Sequence, residues 1–517
     1  MDSNSMKLQF TPRRSTNLLS SKTPNSKDSK STLFFYSSIA ISLALFSYIF
    51  LVSKPSSSNA SQKTSKFRIV IDGGSTGTRI HVFEYTIDGK APIFEFGEKG
   101  LATMKVSPGL SAYAAEPEKA GTSILEQLEF AKKRVGREFW GSTEIRLMAT
   151  AGLRMLDLGV QEQILESCRR VLRVSGFRFK NEWAEVITGS DEGVYAWVVA
   201  NYALGALGKD PQETTGIIEL GGASAQVTFV SPDPVPFEFS RRLIIGNVSY
   251  NLYSHSLLHF GQNVALQSLH QSLVSGDIKF DSGAPQKQIL IDPCSPKGYK
   301  PNFQTLNLHL DSSNEKIEQL SMLHARGNFS ECRSAALALL QKGKDLCSYQ
   351  HCSVGSTFVP KLQGKFLATE NFFYTSKRFC EEDWSNLKRK YQSFDEDALV
   401  HYCFSSAYIV ALLHDGFGIP MEDARIKITN QVENVPLDWA LGAFILQSTT
   451  SLKIEQSSWI STFISDGSST LLSLVVISIL LMFVAWLISK LWKPQLKTIY
   501  DLENGRYIFE MVFEVIS

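Results

Sequence analysis

One short pattern occurs twice, 147 residues apart, and it restricts the possible folds more than any other feature of the chain. Ile69-Val-Ile-Asp72-Gly-Gly74 and Gly216-Ile-Ile-Glu219-Leu-Gly221 each present an apolar strand, an acid at its end and a glycine two residues on. A second strand follows in each case, Arg79–Tyr85 after the first loop and Ala225–Val230 after the second. The spacing is too long for a solenoid unit of about 20–50 residues. It points to a duplicated β-loop-β element in two halves of one protein. Ile145–Thr150 reads as a further strand. Helical spacing runs through Glu118–Val135, Gln161–Val174, Asp191–Leu207, Tyr250–Gln271, Ser330–Leu340, Leu399–His414 and Asp438–Leu446. Strands alternating with helices give an α/β fold class.

The loops suggest a chemistry. Glycine lets backbone N–H groups face an anion, because no Cβ blocks close approach. The hydroxyls of Ser75, Thr76 and Ser224 add donors for phosphate oxygens. An acid at the strand end would repel phosphate, so the sensible task for Asp72 and Glu219 is to hold a divalent cation through water. Two such loops across a cleft would grip a polyphosphate from both sides. No G-x4-G-K-[ST] phosphate loop occurs.

Charge narrows the partners. Lys plus Arg number 52 against 51 Asp plus Glu, a net +1, which excludes a broad polyanion-binding surface and with it nucleic acid. The sum hides an uneven distribution. Residues 1–31 hold six basic and two acidic side chains, whereas 32–489 hold 42 and 45. Two segments, 33–52 and 471–489, are apolar and uncharged over lengths that suit a bilayer of about 30 Å. A buried core helix, or for the first a cleaved signal peptide, is the alternative. Lys22, Lys27 and Lys30 precede the first segment, and Lys490, Lys493 and Lys497 follow the second. The basic flanks place both tails in the cytosol and the long middle part in the lumen or outside the cell. That gives a two-pass protein of the Golgi, another endomembrane or the plasma membrane, with the bilayer as a partner. The oligomeric state is not legible.

Cysteine placement agrees. All seven fall on the predicted oxidising side, six of them between Cys294 and Cys403. Six cysteines allow 15 pairings; the most local set is Cys294–Cys332, Cys347–Cys352 and Cys380–Cys403. A zinc site is the alternative, without a C-x2-C or close His pair to support it. Cys168 reads as a buried free thiol. Sequons at Asn247 and Asn328 suit glycosylation, while that at Asn59 lies too near the membrane.

Five stretches in order resemble the conserved regions of the apyrases, the ecto-nucleoside triphosphate diphosphohydrolases, and most nearly the plant membrane-anchored members. They are Asp72-Gly-Gly-Ser-Thr-Gly-Thr-Arg79, Ala149-Thr-Ala-Gly-Leu-Arg154, Ile187-Thr-Gly-Ser-Asp-Glu-Gly-Val-Tyr-Ala-Trp197, Glu219-Leu-Gly-Gly-Ala-Ser-Ala-Gln226 and Trp439-Ala-Leu-Gly442. The resemblance implies the actin/Hsp70-like fold, two RNase H-like lobes with nucleotide between them. It also implies stepwise hydrolysis of nucleoside tri- and diphosphates with Ca2+ or Mg2+. The expected division is a cytosolic tail (1–32), a span (33–52), a linker (53–66), lobe I (67–182), a disulfide-bearing lobe II (183–435), a return to lobe I (436–460), a second span (471–489) and a cytosolic tail (490–517).

The same resemblance implies roles. Glu192 matches the general base that activates the attacking water. Ser224 and Gln226 match the pair that positions that water. Gly74, Ser75, Thr76, Gly77, Gly222 and Ala223 match a phosphate cradle, and Thr150 a phosphate-side hydroxyl. Asp72 and Glu219 match the metal's water shell. Tyr374 and Tyr408 lie in stretches resembling an aromatic clamp for the base. Glu219 stands where the family usually has Asp, and its extra methylene of ~1.5 Å alters metal preference or rate. Gln262 falls where some members have a basic residue. A catalytically weak nucleotide-binding pseudoenzyme, an exopolyphosphatase or a small-molecule kinase of the same fold are the rival readings.

Overall fold

Strand β1 (Ser65–Gly73) is buried from Arg68 to Ile71, as a strand covered on both faces must be. It pairs antiparallel with β2 (Thr78–Asp88) and parallel with β5 (Glu144–Ala149). The computed structural model describes residues 65–88, 91–94, 100–278, 280, 290–300, 323–349, 352–373, 378–457, 479–480, 483, 495–501 and 506–512. The described residues fall in one unit, Thr64–Ser517. Strands β3 (Ala91–Phe94) and β4 (Leu101–Val106) add to β2, and β6 (Ala184–Val186) adds to β5, so the first sheet has six strands in the order β3-β2-β1-β5-β6, with β4 also on β2. The boundary placed at 182/183 is therefore early by one short strand, because β6 completes the first sheet.

The second sheet repeats the scheme. Its central strand, β7 (Gly216–Leu220), is buried at every position. It pairs antiparallel with β8 (Ser224–Val230) and parallel with β13 (Phe366–Glu370). β9 (Ser240–Ile245) and β10 (Val248–Leu258) extend one side and β14 (Ile426–Ile428) the other. A small parallel pair, β11 (Leu290–Asp292) and β12 (Leu323–Ala325), stands apart. A further hairpin, Gln495–Asp501 with Arg506–Val512, lies in what the sequence presents only as a tail.

Helices fill the layers. α1 (Lys119–Ser123), α2 (Leu125–Arg134), α3 (Ala151–Arg154) and α4 (Leu158–Arg173) follow the first sheet's strands. α5 (Gly189–Ala203) leads to the second sheet, served by α6 (Gln262–Ser275), α7 (Phe329–Gln341) and α8 (Glu396–Val410). α9 (Trp439–Ser457) packs on α5 and reaches back to β1 and β3. One core holds Val70 and Phe83 of the first sheet, Ile217 and Leu252 of the second, and Trp197 and Phe444 of the two helices between. Gly442 makes that crossing close, since a Cβ there would lie 1.8 Å from the Tyr195 carbonyl oxygen.

The stretch expected as one helix over Tyr250–Gln271 divides. Tyr250–Leu258 belongs to β10, hydrogen-bonded on both sides, and the helix starts only at Gln262. Tyr250, Tyr253 and Leu257 mimic a helical stripe, but two strand partners decide the conformation. No helix among the described residues is long and apolar enough to cross a membrane. The candidate span 33–52 lies outside the described residues, as does 471–489 apart from Ile479, Leu480 and Phe483.

Candidate active site

The duplicated hairpins share one register. Asp72 pairs with Arg79 and Gly73 with Thr78 in the first; Glu219 pairs with Gln226 and Leu220 with Ala225 in the second. The offset of 147 therefore holds through both strands and the loop, closer than the glycine and serine positions suggest. The loops meet. A Cβ on Gly222 would lie 2.8 Å from both Ser75 Oγ and Thr76 Cγ2. Between them opens a cavity of about 480 Å3, lined by Asp72, Gly74, Ser75, Thr76, Gly77, Thr150, Glu192, Gly222, Ala223 and Ser224, ten of the residues singled out from sequence. Glu219 and Gln226 stand behind this surface, both buried. The start of α6 braces the second loop: Gln262 N–H donates to the Gly221 carbonyl and Asn263 N–H to that of Gly222, each at 2.9 Å. Gln262 is thus buried support for the loop rather than a cleft-lining group.

Local chemistry aims Glu192. Thr188 caps α5, its Oγ1 accepting from Asp191 N–H at 3.1 Å and donating to Asp191 Oδ2 at 2.6 Å. This capping arrangement occupies Asp191 and leaves the next carboxylate for the cleft. Glu192 accepts from Arg154 Nη2 at 2.7 Å. The same Nη2 lies 3.4 Å from Ser224 Oγ, and Gln226 Nε2 donates to Ser224 Oγ at 2.7 Å. Burial pushes the Glu192 carboxyl above its ordinary value, opposed by Arg154 and Gln226. A carboxylate in that position can take a proton from a water near neutral pH. Thr150 is buried at the cleft wall, its Oγ1 3.5 Å from the Gly73 carbonyl.

Other acids converge here. Asp72 is raised well above the usual carboxylate range, by burial first and then by Asp438. Glu219 is raised likewise, by burial and then by Glu370. Asp72 Oδ1 and Glu219 Oε2 are buried acceptors without a hydrogen-bond partner. Buried orphaned carboxylate oxygens suit a divalent cation. Among the described residues no three His, Cys, Asp or Glu side chains converge as a direct ligand set. Asp438, just before α9, accepts from Arg79 Nη1 at 3.2 Å. Burial opposes its ionisation, but His81, Arg79 and the Ala440 N–H hold it below its ordinary value.

Arg154, Asp438, Glu370 and Lys105 are the residues sequence reasoning left without a role. Arg154 and Asp438 could have been found, since one ends the second motif and the other adjoins the fifth. Glu370 and Lys105 carry no local signal.

The base-binding assignment fails at one residue. Tyr408 is fully buried, its ring stacked on Phe404 at 5.1 Å and its hydroxyl donating to the Phe260 carbonyl at 2.8 Å. Both ring faces belong to the core, so it offers no stacking surface. Tyr374 lies outside the described residues. Disulfides join Cys294 to Cys332, Cys347 to Cys352 and Cys380 to Cys403, and Cys168 is a buried free thiol. Asn247 is exposed at the β9–β10 turn; Asn328 caps α7, its Oδ1 accepting from Glu331 N–H at 3.1 Å.

Comparison with known proteins bears on this cleft. Residues 58–460 match the model of the GDA1/CD39 (nucleoside phosphatase) family. The chain is 53% identical to "Probable apyrase 6" of Arabidopsis thaliana, across 94% of this chain and 91% of that one. It is 27% identical to "Ectonucleoside triphosphate diphosphohydrolase 1" of Mus musculus, across 81% and 87%. Its fold is similar to that of a nucleoside triphosphate hydrolase from Neospora caninum, with a TM-score of 0.56, 13% identity, and coverage of 83% of this chain and 99% of that one.

Proposed function

The chain belongs to the GDA1/CD39 (nucleoside phosphatase) family, and from that premise we propose how it acts as a nucleotide phosphohydrolase, an apyrase. Glu192 is the general base: it takes a proton from a water held by Ser224 and Gln226 as that water attacks the terminal phosphorus. The new P–O bond forms as the bridging P–O bond breaks, leaving inorganic phosphate and a nucleotide one phosphate shorter. The supporting observation is the single hydrogen-bonded cluster of Glu192, Arg154, Ser224 and Gln226 at the wall of a cleft between two glycine loops. The cradle is Gly74, Ser75, Thr76, Gly77, Gly222 and Ala223, with Thr150 beside it.

Members of this family depend on a divalent cation. We assign Ca2+ or Mg2+ here, held through water by Asp72 and Glu219, where it would neutralise phosphate charge. Arg79 holds Asp438 at the cleft wall, and Arg154 keeps Glu192 aimed. Nucleoside tri- and diphosphates are the substrates.

The two apolar segments at 33–52 and 471–489 serve as membrane anchors with both tails cytosolic, so that lobe I, lobe II and the C-terminal return face the lumen or the outside, and Asn247 and Asn328 carry glycans. Support comes from the basic flanks and from the disulfide-bonded cysteines of that part. Two measurements test the proposal. Full-length protein is assayed for phosphate release from ATP, ADP, GDP and UDP with and without Ca2+; no release from any of them overturns the enzyme reading. Glycosidase treatment of protein from eukaryotic cells is expected to raise its mobility by two glycans; an unchanged mobility overturns the topology.

A further inference from the structure

Two charged side chains in the cleft take no part in the chemistry assigned above. Lys105 of β4 reaches over the first glycine loop: a Cβ on Gly77 would lie 2.6 Å from its Cε. Glu370, at the end of β13, lies against the second loop, its Oε2 3.7 Å from where a Cβ on Gly221 would be. Both line the cavity. Both residues are exposed; Arg79 and Lys105 both act on Glu370 through space, but Arg79 is itself engaged with Asp438 at 3.2 Å.

The placement of Glu370 is imposed by the fold. Its φ of 66° lies in the left-handed region, which a residue with a Cβ occupies only where its surroundings over-determine it. Its N–H donates to Asn430 Oδ1 at 2.6 Å, and the next residue, Asn371, donates from Nδ2 to the Leu220 carbonyl at 2.8 Å. Thr369 before it is fully buried. Strain kept at such a point marks a site where position matters more than local stability.

A carboxylate fixed beside a phosphate cradle repels the ligand, and an ammonium attracts it. By Coulomb's law both effects grow with the ligand's charge. A nucleoside triphosphate carries one more negative charge than a diphosphate. We propose that Glu370 and Lys105 set the preference of this cleft between nucleoside di- and triphosphates, Glu370 handicapping the triphosphate and Lys105 offsetting that handicap. Selectivity is a difference of affinities, so a repulsive group contributes to it as much as an attractive one. The inference rests on the nucleotide-hydrolase reading. Its direction does not depend on which phosphate each side chain approaches, because the sign follows from charge alone.

The test is made at pH 8, where Glu370, an exposed residue of the cleft, is ionised. Full-length wild type, Glu370→Gln, Lys105→Met and the double variant are compared for kcat/KM on ATP and ADP. Binding of β,γ-imido-ATP and α,β-methylene-ADP in EDTA is measured alongside. The ATP-to-ADP ratio is expected to rise about fivefold or more in Glu370→Gln, to fall by a similar factor in Lys105→Met, and to return towards wild type in the double variant. Lys105→Arg and Glu370→Asp, which keep the charge, keep the ratio. An equal change for both nucleotides, or an unchanged ratio, overturns the proposal. Wild type that hydrolyses neither nucleotide contradicts the hydrolase reading instead, and the binding ratio still decides the role of the two charges.

Discussion

Arg154 Nη2 stands 2.7 Å from Glu192 Oε2 and 3.4 Å from Ser224 Oγ, so one guanidinium ties the proposed base to a hydroxyl beside it. Burial raises the Glu192 carboxyl and Arg154 is the larger of the two groups that oppose the rise. Replacing Arg154 with Gln removes that opposition. The acid limb of the kcat profile is then expected to move to higher pH, because Glu192 stays protonated further up the scale. At pH 7 kcat falls by about 10- to 100-fold with little change in KM. An unshifted limb would show that Arg154 acts only as packing.

Glu192→Gln keeps the shape of the side chain and removes its basicity. We expect kcat to fall by roughly 10²- to 10⁴-fold, while a non-hydrolysable nucleotide analogue still binds by calorimetry. Full turnover in this variant would sink the assignment of the base.

The raised carboxylates make cation-free stability depend on pH with a definite sign. Burial raises the carboxyls of Glu219, Glu192 and Asp72 above their ordinary values. Above the ordinary carboxylate value these groups keep protons in the folded chain that the unfolded chain has lost, so their contribution to stability falls as pH rises. In EDTA, Tm of the wild type is expected to fall more, or rise less, between pH 5.5 and 8 than that of Glu219→Gln, because His81 and His255, lowered by burial, act in the opposite sense in both proteins. Adding Ca2+ or Mg2+ should flatten the difference, because a bound cation favours the ionised forms. An equal pH dependence in the two proteins would contradict the raised carboxylates.

Gly442→Ala places a methyl where the Tyr195 carbonyl stands 1.8 Å away. Overpacking of this kind destabilises by about 1–3 kcal/mol. Because the crossing seats α5, which carries Glu192, kcat should fall together with Tm. A thermal scan with an assay at 25 °C reads both, and wild-type values in each would show that the helices separate freely.

Cys168 is fully buried and burial pushes its thiol up to about 12. With the other six cysteines in disulfides, iodoacetamide at pH 8 should label nothing in the native chain. One thiol per chain should be labelled after denaturation without reductant. More than one would contradict the pairings.

The two hairpins and the first turn of α5 were legible in residue order because their chemistry is local. An apolar run ending in an acid and glycine makes a strand and its turn whatever surrounds it, and Thr188 with Asp191 caps a helix within four residues. The register of the hairpins preserves the 147-residue offset as far as Thr228. Tyr250–Leu258 misled because periodicity cannot report that strands stand on both sides of it. Tyr408 misled because an aromatic in a suggestive stretch reads alike whether it faces a cleft or a core.

Residue order, then, decided the paired loops, the acid at each strand end and the cap that opens α5, all of which depend on neighbours within a few positions. The tertiary structure decided which charges meet. Arg79 finds Asp438 359 residues away, Arg154 finds Glu192 and Ser224, and Glu370 comes to rest beside Gly221 in a backbone conformation no propensity favours. Those encounters depend on where two sheets and the helices between them bring the chain, and Coulomb energy depends on distance in space, not on separation along the sequence.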